Sequence, residues 1–140
     1  TLFYCVDSHI HSWYPLYAQA FDLVTVAMRD HLPQFSNKIL GSNQILWLPL
    51  FARDSDVPVH GAPIKWDVLF VGKNDPELTP LRFHFLNKLQ KDFPGLVIKQ
   101  GDYTKLYPHA RIVLNFADRG DLNFRVFETL GCGKCLVTNW

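Results

Sequence analysis

The 140-residue chain is 48% hydrophobic and 19% charged, so it can bury a core and does not have the composition of a disordered segment. Its formal charge of +1 gives no electrostatic basis for binding nucleic acid or an anionic membrane surface. No apolar run reaches the roughly 18 residues that a membrane-spanning helix requires, and we therefore expect no transmembrane segment.

The first third of the chain predicts three buried strands joined by short helices. Apolar and β-branched runs predict the strands at residues 2–6, 23–27 and 45–50. Short helices are predicted between them, at residues 14–21 and 29–35.

Residues 52–65 differ in composition from what precedes and follows them. Pro58, Gly61 and Pro63 interrupt a polar stretch that has neither helical nor strand periodicity. We therefore predict a linker at 52–65. It would join the C-terminal part of a first Rossmann-like domain, 1–51, to a second such domain, 66–140.

After residue 65, strands and helices alternate. The predicted strands are 68–71, 96–98, 111–116 and 135–138, and the predicted helices are 80–93, 103–109 and 122–130. In the helix at 80–93, the i, i+4 row Leu81, Phe85, Leu89 and Phe93, widened by Leu86, is predicted as the buried face. The alternation predicts an α/β fold with Rossmann-like parallel sheets. Because the chain opens and closes on strands of buried character, we expect a fragment whose second domain is incomplete at its end.

The three cysteines are too few for a disulfide framework, which favours a reduced, cytoplasmic location. Cys132 and Cys135 have the C-x-x-C spacing, but the predicted helix precedes them, so its dipole would disfavour a thiolate. No second pair lies at zinc-finger spacing. We expect both to be structural residues, neither metal ligands nor a redox pair.

Chemistry is expected beyond the carboxyl ends of the strands, where parallel α/β sheets bind their ligands. The last predicted helix starts near Asn123 and carries Arg125 and Glu128 in its first two turns. A helix N-terminus and a guanidinium both attract phosphate, and a carboxylate can accept two hydrogen bonds from a vicinal diol. An Arg–Glu pair on a solvated helix face explains the same spacing, so the spacing alone leaves both interpretations open.

The run from Leu122 to Thr138 resembles the R-x-F-E-x-x-A-C-G-x-x-x-x-T motif of glycosyltransferases with two Rossmann-like domains, the GT-B type. The nearest resemblance is to spore-maturation (CgeB-type) enzymes, with the family-4 transferases behind them. Upstream segments resemble the same family in the same order, among them the strand and turn at residues 66–72 and the segment at 47–50 that leaves the first domain. Only the run from Arg125 to Thr138 is specific.

The resemblance implies roles for individual residues. Glu128 falls where these enzymes bind the ribose, and Arg125, Gly72 and Lys73 fall where they hold the pyrophosphate of a nucleotide-sugar. Asp7 and His9, after the first predicted strand, lie where the family places groups near the sugar and phosphate, which makes them candidate catalytic residues. One position departs from the family-4 pattern: Gly120 stands where a second glutamate is expected.

The sequence thus predicts a metal-independent, hexosyltransferase-type enzyme that moves a sugar from a nucleotide-sugar donor to an acceptor, without a cofactor. The acceptor could be a glycan, a protein or a small molecule. A non-catalytic binding or scaffold module derived from such an enzyme is the alternative, favoured by Gly120 and opposed by the intact Arg125–Glu128 pair. A dinucleotide-dependent oxidoreductase is disfavoured, because no G-x-G-x-x-G follows the first strand.

Overall fold

The chain forms two compact units, Thr1–Leu50 and Phe51–Trp140. The computed structural model describes residues 1–36, 44–117 and 122–139. Each unit contains a parallel β-sheet, so the predicted fold class, α/β with Rossmann-like parallel sheets, is confirmed. The interpretation of 1–51 and 66–140 as parts of two domains of a longer enzyme stays a prediction.

The first unit has a three-stranded sheet in the order β1-β2-β3. The strands are β1 (Leu2–Cys5), β2 (Leu23–Val26) and β3 (Ile45–Trp47), and the helices are α1 (Tyr14–Tyr17) and α2 (Leu32–Ser36). Short 3-10 turns at Ala18–Ala20 and Arg29–His31 accompany the two helices. Cys5, Val24 and Phe35 are among the residues that form its buried core.

The second unit has a four-stranded sheet in the order β5-β4-β6-β7. Its strands are β4 (Trp66–Val71), β5 (Leu96–Lys99), β6 (Ala110–Asn115) and β7 (Cys135–Thr138). Its helices are α3 (Pro80–Asp92), α4 (Tyr103–Leu106, extended by a 3-10 turn at Tyr107–His109) and α5 (Phe124–Gly131). The chain moves to one side of β4 to form β5 and then returns to form β6 on the other side. The direction of strand addition therefore reverses between β4 and β6, which is where open α/β sheets bind ligands.

Successive residues of β4 supply the two cores of this sheet. Leu69 packs with Tyr107 and Val113 on one face, whereas Phe70 packs with Leu86 on the other. This follows from the period of two in a strand. Because both faces are covered, the inner residues of these strands, 68–71 in β4 and 112–114 in β6, are continuous apolar runs without alternation of polar and apolar residues.

Residues 52–65, predicted as a linker, pack within the second unit, which begins at Phe51. The Lys65 amide donates to the carbonyl of His109 at 2.8 Å, and the Asp56 carboxylate accepts a hydrogen bond from the Tyr103 hydroxyl at 2.7 Å. Asp56 is only 5% exposed. The polar composition of this stretch therefore includes buried hydrogen-bonding groups as well as solvated ones.

The predicted buried face of α3 is wrong in part. Leu86 is fully buried, but Leu81 is 71% exposed, and Phe85 and Phe93 are each about two-fifths exposed. A row of residues spaced by four advances about 40° around the helix at each step, because a turn takes 3.6 residues. Such a row cannot stay on one face over the length of α3. The helix therefore buries Leu86 and leaves the ends of the row partly or largely exposed.

None of the helices within residues 1–36, 44–117 and 122–139 has the length and apolar character needed to cross a membrane.

We expect Leu86→Ala to lower the free energy of unfolding by about 2–5 kcal/mol, because it leaves a cavity under α3. Leu81→Ala, in the same helix, is the matched control and should change the free energy by less than about 0.5 kcal/mol, since Leu81 faces solvent. Urea unfolding followed by circular dichroism measures both. Equal losses in the two variants would contradict this packing of α3.

Candidate functional site

The carboxyl ends of β4 and β6 carry the residues that form the candidate site. Gly72 follows the last residue of β4, and Asn115 is the last residue of β6. The chain returns to this edge at Asn123, the residue before α5. The strand order therefore brings Gly72 to the same edge as Asn115 and Asn123, which lie 43 and 51 residues later in the sequence.

Asn115 joins these segments through its side-chain amide, which is almost completely buried. Its Oδ1 accepts hydrogen bonds from Arg125 Nη1 at 2.9 Å and from Asn123 Nδ2 at 3.2 Å. Its Nδ2 donates to Thr138 Oγ1 at 3.0 Å, at the end of β7. A buried amide whose oxygen and nitrogen both form hydrogen bonds has one favoured orientation, and here that orientation fixes the start of α5 against the sheet.

The Arg125 guanidinium is held on two further sides. Its Cζ lies 5.0 Å from the centroid of the Phe70 ring, a cation–π contact. A Cβ built on Gly72 would lie 2.7 Å from Arg125 Nη2. Glycine at position 72 therefore gives the guanidinium room to approach the backbone after β4. Only one of the guanidinium's N–H groups is used in the hydrogen bond to Asn115, so other N–H groups can donate to an anion.

The N-terminus of α5 adds to this positive site. The first N–H groups of a helix have no partner within it, and the helix dipole favours an anion there. Asn123 takes an extended conformation before the helix but does not cap it with its side chain. Its Oδ1 is buried without a hydrogen-bond partner in the part of the chain that the structure describes.

Glu128 lies one turn further along α5 and is partly buried. Burial raises the pKa of this carboxyl group above its ordinary value, and Asp56 adds to that effect. Arg125 and Arg53 act in the opposite direction. Among the described residues no side chain forms a hydrogen bond with the Glu128 carboxylate, so both of its oxygens can accept from a ligand.

The remaining predicted site residues are Lys73, which directly follows Gly72, and Asp7 and His9 in the first unit. Lys73 is exposed in the loop after β4, where Asp75 accepts the amide hydrogens of Glu77 and Leu78 and shapes the turn toward α3. Asp7 and His9 follow β1 in the first unit, and the Asp7 carbonyl accepts from the amides of Ile10 and His11. The assignment of Asp7 and His9 as catalytic stays a prediction. Gly120 lies outside the described residues.

Three residues of the site were missed by the sequence analysis. Asn115 could have been found, because a polar residue ending the apolar run of β6 is a recognisable signal. Phe70 gave no signal, since it lies within an apolar strand. Arg82 in α3 also contacts the Phe70 ring, with its Cζ at 5.8 Å from the centroid, but a single arginine near a helix start does not reveal that contact.

The two C-x-x-C thiols have different environments. Cys132 is 5% exposed and Cys135 is exposed, and both are free. Burial, followed by the charges of Asp56 and Glu128, raises the pKa of Cys132. Across the described ranges no group of three or more His, Cys, Asp or Glu side chains is placed to hold a metal ion.

Comparison with known proteins gives one family. A model of a family described as glycosyl transferase-like matches residues 45–140. The match covers more than half of the chain and includes Gly72, Lys73, Arg125 and Glu128, whereas Asp7 and His9 lie before it. No curated protein matches the chain.

We expect Cys135 to react with a thiol reagent such as DTNB at pH 8 much faster than Cys132, whose thiol is buried and disfavoured as a thiolate. Cys5, whose pKa burial raises to about 12, should also react slowly. Cys135→Ser should remove the fast phase and leave the slow ones. Equal rates for Cys132 and Cys135, a reversible disulfide between them at cytosolic potentials, or stoichiometric zinc would contradict a structural role for this pair.

Proposed function

The chain belongs to the glycosyl transferase-like family, and on that premise we propose that it binds a nucleotide-sugar and transfers the sugar to an acceptor. The observation that carries this proposal is the fixed Arg125 guanidinium at the N-terminus of α5, beside Gly72 and at the point where the strand order reverses. The guanidinium and the helix N-terminus both present N–H donors, which suits an anion with several oxygens, such as a diphosphate.

The diphosphate is proposed to lie at Gly72 and the N-terminus of α5. Arg125 donates to its oxygens, and Lys73 supplies a second positive charge from the loop after β4. Leaving-group stabilisation by donors that are already in place is a large contribution to group transfer. Since Phe70 and Asn115 hold the guanidinium before any ligand binds, little reorganisation is required.

The ribose is proposed to bind Glu128. Its carboxylate lies one turn from Arg125 on the same helix, so a ligand that places its phosphates on Arg125 extends its ribose along α5. A carboxylate with two open oxygens can accept a hydrogen bond from each hydroxyl of a vicinal diol. Burial of Glu128 strengthens those bonds, because competing water is partly excluded.

The finer features of the enzyme are proposed on the family resemblance. They are a GT-B arrangement with an acceptor-side first domain, CgeB-type relatives, a hexosyl donor, catalysis without a bound metal or other cofactor, and a cytoplasmic location. The positive charge of Arg125, Lys73 and the start of α5 supports metal independence, since these groups can stabilise a leaving diphosphate. Asp7 and His9 are proposed to act at the sugar, in the manner that the resemblance implies.

A thermal-shift screen of the whole chain with UDP, GDP, TDP and ADP tests donor binding, since a specific ligand stabilises the folded state in proportion to the logarithm of its concentration over Kd. Release of the nucleoside diphosphate from the matching nucleotide-sugars then tests transfer. Binding without turnover would favour the alternative of a non-catalytic module. No stabilisation by any of the four nucleotides would contradict the proposed donor site.

We expect Arg125→Ala to weaken nucleoside diphosphates about ten- to a hundred-fold and the parent nucleosides far less, because only the diphosphates present phosphate oxygens to the guanidinium. Glu128→Gln should weaken both ligands about ten- to a hundred-fold, since both carry the ribose. These factors correspond to the loss of about 1.5–3 kcal/mol for one charge-assisted hydrogen bond. Calorimetry of each variant with a diphosphate and its nucleoside measures them.

Urea unfolding at neutral pH is the control for these variants. The raised pKa of Glu128 means that its ionised form costs folding stability, and that cost grows as the pH rises through the folded-state pKa. Glu128→Gln should therefore be at least as stable as the parent chain at neutral pH, while it binds less tightly. Equal weakening of both ligands by Arg125→Ala, or no effect of Glu128→Gln, would remove these residues from the site.

We expect Gly72→Ala to reproduce the ligand selectivity of Arg125→Ala, because the added methyl group would meet Arg125 Nη2 at 2.7 Å and displace the guanidinium. Gly101→Ala is the matched control: Gly101 also has a positive φ, but the nearest atom to an added Cβ is 3.9 Å away. Calorimetry with the diphosphate should show weaker binding for Gly72→Ala alone. Equal effects of the two variants would assign the loss to backbone strain.

A further inference from the structure

The segment from Phe51 to Pro58 contacts α5 on both sides of Glu128. The Phe51 ring meets Phe124 edge-on, with centroids 6.4 Å apart. At the other end, a Cβ on Gly131 would lie 2.9 Å from Ala52 Cβ and 3.0 Å from Asp56 Cβ. Positions four before and three after Glu128 lie on its own face of the helix, so the segment runs beside the Glu128 side chain.

Asp56 fixes the path of this segment. Its Oδ2 accepts from the Arg53 backbone N–H at 2.8 Å, and its Oδ1 accepts from the Tyr103 hydroxyl at 2.7 Å. The carboxylate is 5% exposed, and both of its oxygens are satisfied. Tyr103 belongs to α4, so the Asp56 carboxylate ties the segment to a second helix besides α5. The bond to the Arg53 backbone N–H fixes the main chain at that residue, whose side chain is exposed and whose positive charge acts on Glu128.

We infer that residues 51–58 form one wall of the ribose site, in which Asp56 and Arg53 are positioning residues that act through the Glu128 carboxylate with opposite signs. This inference rests on the proposed function for its biological meaning, but the interaction with Glu128 itself does not require a ligand. Asp56 places a buried negative charge near Glu128, and Arg53 places a positive charge near it. Both oxygens of a carboxyl group act as acceptors only when the group is ionised. The balance of the two charges therefore sets the fraction of Glu128 that can accept from both hydroxyls of a diol.

The charged and titratable groups around Glu128 come from three elements. Arg125 lies on α5, with Cys132 just after it, Tyr103 and Tyr107 lie on α4 and its 3-10 extension, and Arg53 and Asp56 lie on the segment. Burial is the main cause of the raised pKa of Glu128, Arg125 and Arg53 lower it, and Asp56 raises it. The pKa values of Tyr103 and Tyr107 are themselves raised by burial first, to about 12 for Tyr107, so both phenols stay neutral at physiological pH.

Carboxyl ¹³C NMR of the whole chain, labelled at glutamate and assigned with Glu128→Gln, measures the titration of Glu128 without any ligand. We expect Asp56→Asn to shift its midpoint to lower pH, because a negative neighbour is removed. Arg53→Gln should shift it to higher pH, because a positive neighbour is removed while the backbone N–H that Asp56 accepts from is kept. Tyr103→Phe is the matched control: it removes one hydrogen bond to Asp56 and keeps the carboxylate charge, so the midpoint should stay near that of the parent chain.

Shifts of opposite sign in Asp56→Asn and Arg53→Gln support the inference, and a merely structural segment would not produce them. Equal downward shifts of the Glu128 midpoint in Asp56→Asn and Tyr103→Phe would show that loosening of the segment causes the shift. No shift in Arg53→Gln would show that Arg53 does not act on Glu128. Either result overturns the proposal. Should Asp56→Asn fail to fold, Arg53→Gln still decides, since its side chain is exposed.

Calorimetry across pH, with the tightest of UDP, GDP, TDP and ADP, connects the titration to binding. The acid limb of the affinity profile should move with the Glu128 midpoint in each variant. If the midpoints shift as expected but affinity does not follow Glu128 at all, the proposed ribose site fails while the electrostatic link to Asp56 and Arg53 stands. The two failures are therefore distinguishable.

Discussion

The buried side-chain amide of Asn115 joins three of the segments that form the candidate site. Its oxygen accepts from Arg125 and Asn123, and its nitrogen donates to Thr138. Because the group is buried, a lost hydrogen bond would leave an unsatisfied polar atom, which is more costly than the net gain of one exposed bond. The start of α5, the end of β6 and the end of β7 are therefore held in one arrangement, and the guanidinium of Arg125 is aimed before a ligand arrives.

Along α5 the electrostatic character of the site changes within one turn. The end proposed to bind phosphate has the helix N-terminus and a guanidinium over the Phe70 ring. The other end has Glu128, whose pKa is lowered by Arg53 and raised by Asp56, both in the 51–58 segment. A diphosphate joined to a ribose presents the complementary order, negative charge followed by hydroxyl donors. The family match and this order of charges support the same class of ligand.

Cys132 belongs to a C-x-x-C pair, a pattern typical of redox or metal chemistry. In the structure, packing explains both Cys132 and the preceding Gly131. The glycine leaves space for the backbone and side chain of Asp56, and the following cysteine is a small buried group in the core with Leu69 and Tyr107. The end of α5 is thus shaped by the segment that packs on it. Helix dipole and burial both disfavour a thiolate at Cys132.

The sequence by itself determined the strands, the parallel α/β class and the placement of Arg125 and Glu128 at the start of a helix, because these follow from local periodicity and from a motif within one short run. The predicted boundaries of the elements lie close to the observed ones, and β7 at Cys135–Thr138 matches its prediction. Only the tertiary structure decided which residues meet: that Asn115 holds Arg125, that Phe70 lies under the guanidinium, and that Asp56 is a buried partner of Tyr103 inside a stretch that reads as a linker. These contacts join positions 10 to 55 residues apart. They depend on strand order and on the exact path of the chain, which local composition and spacing do not encode.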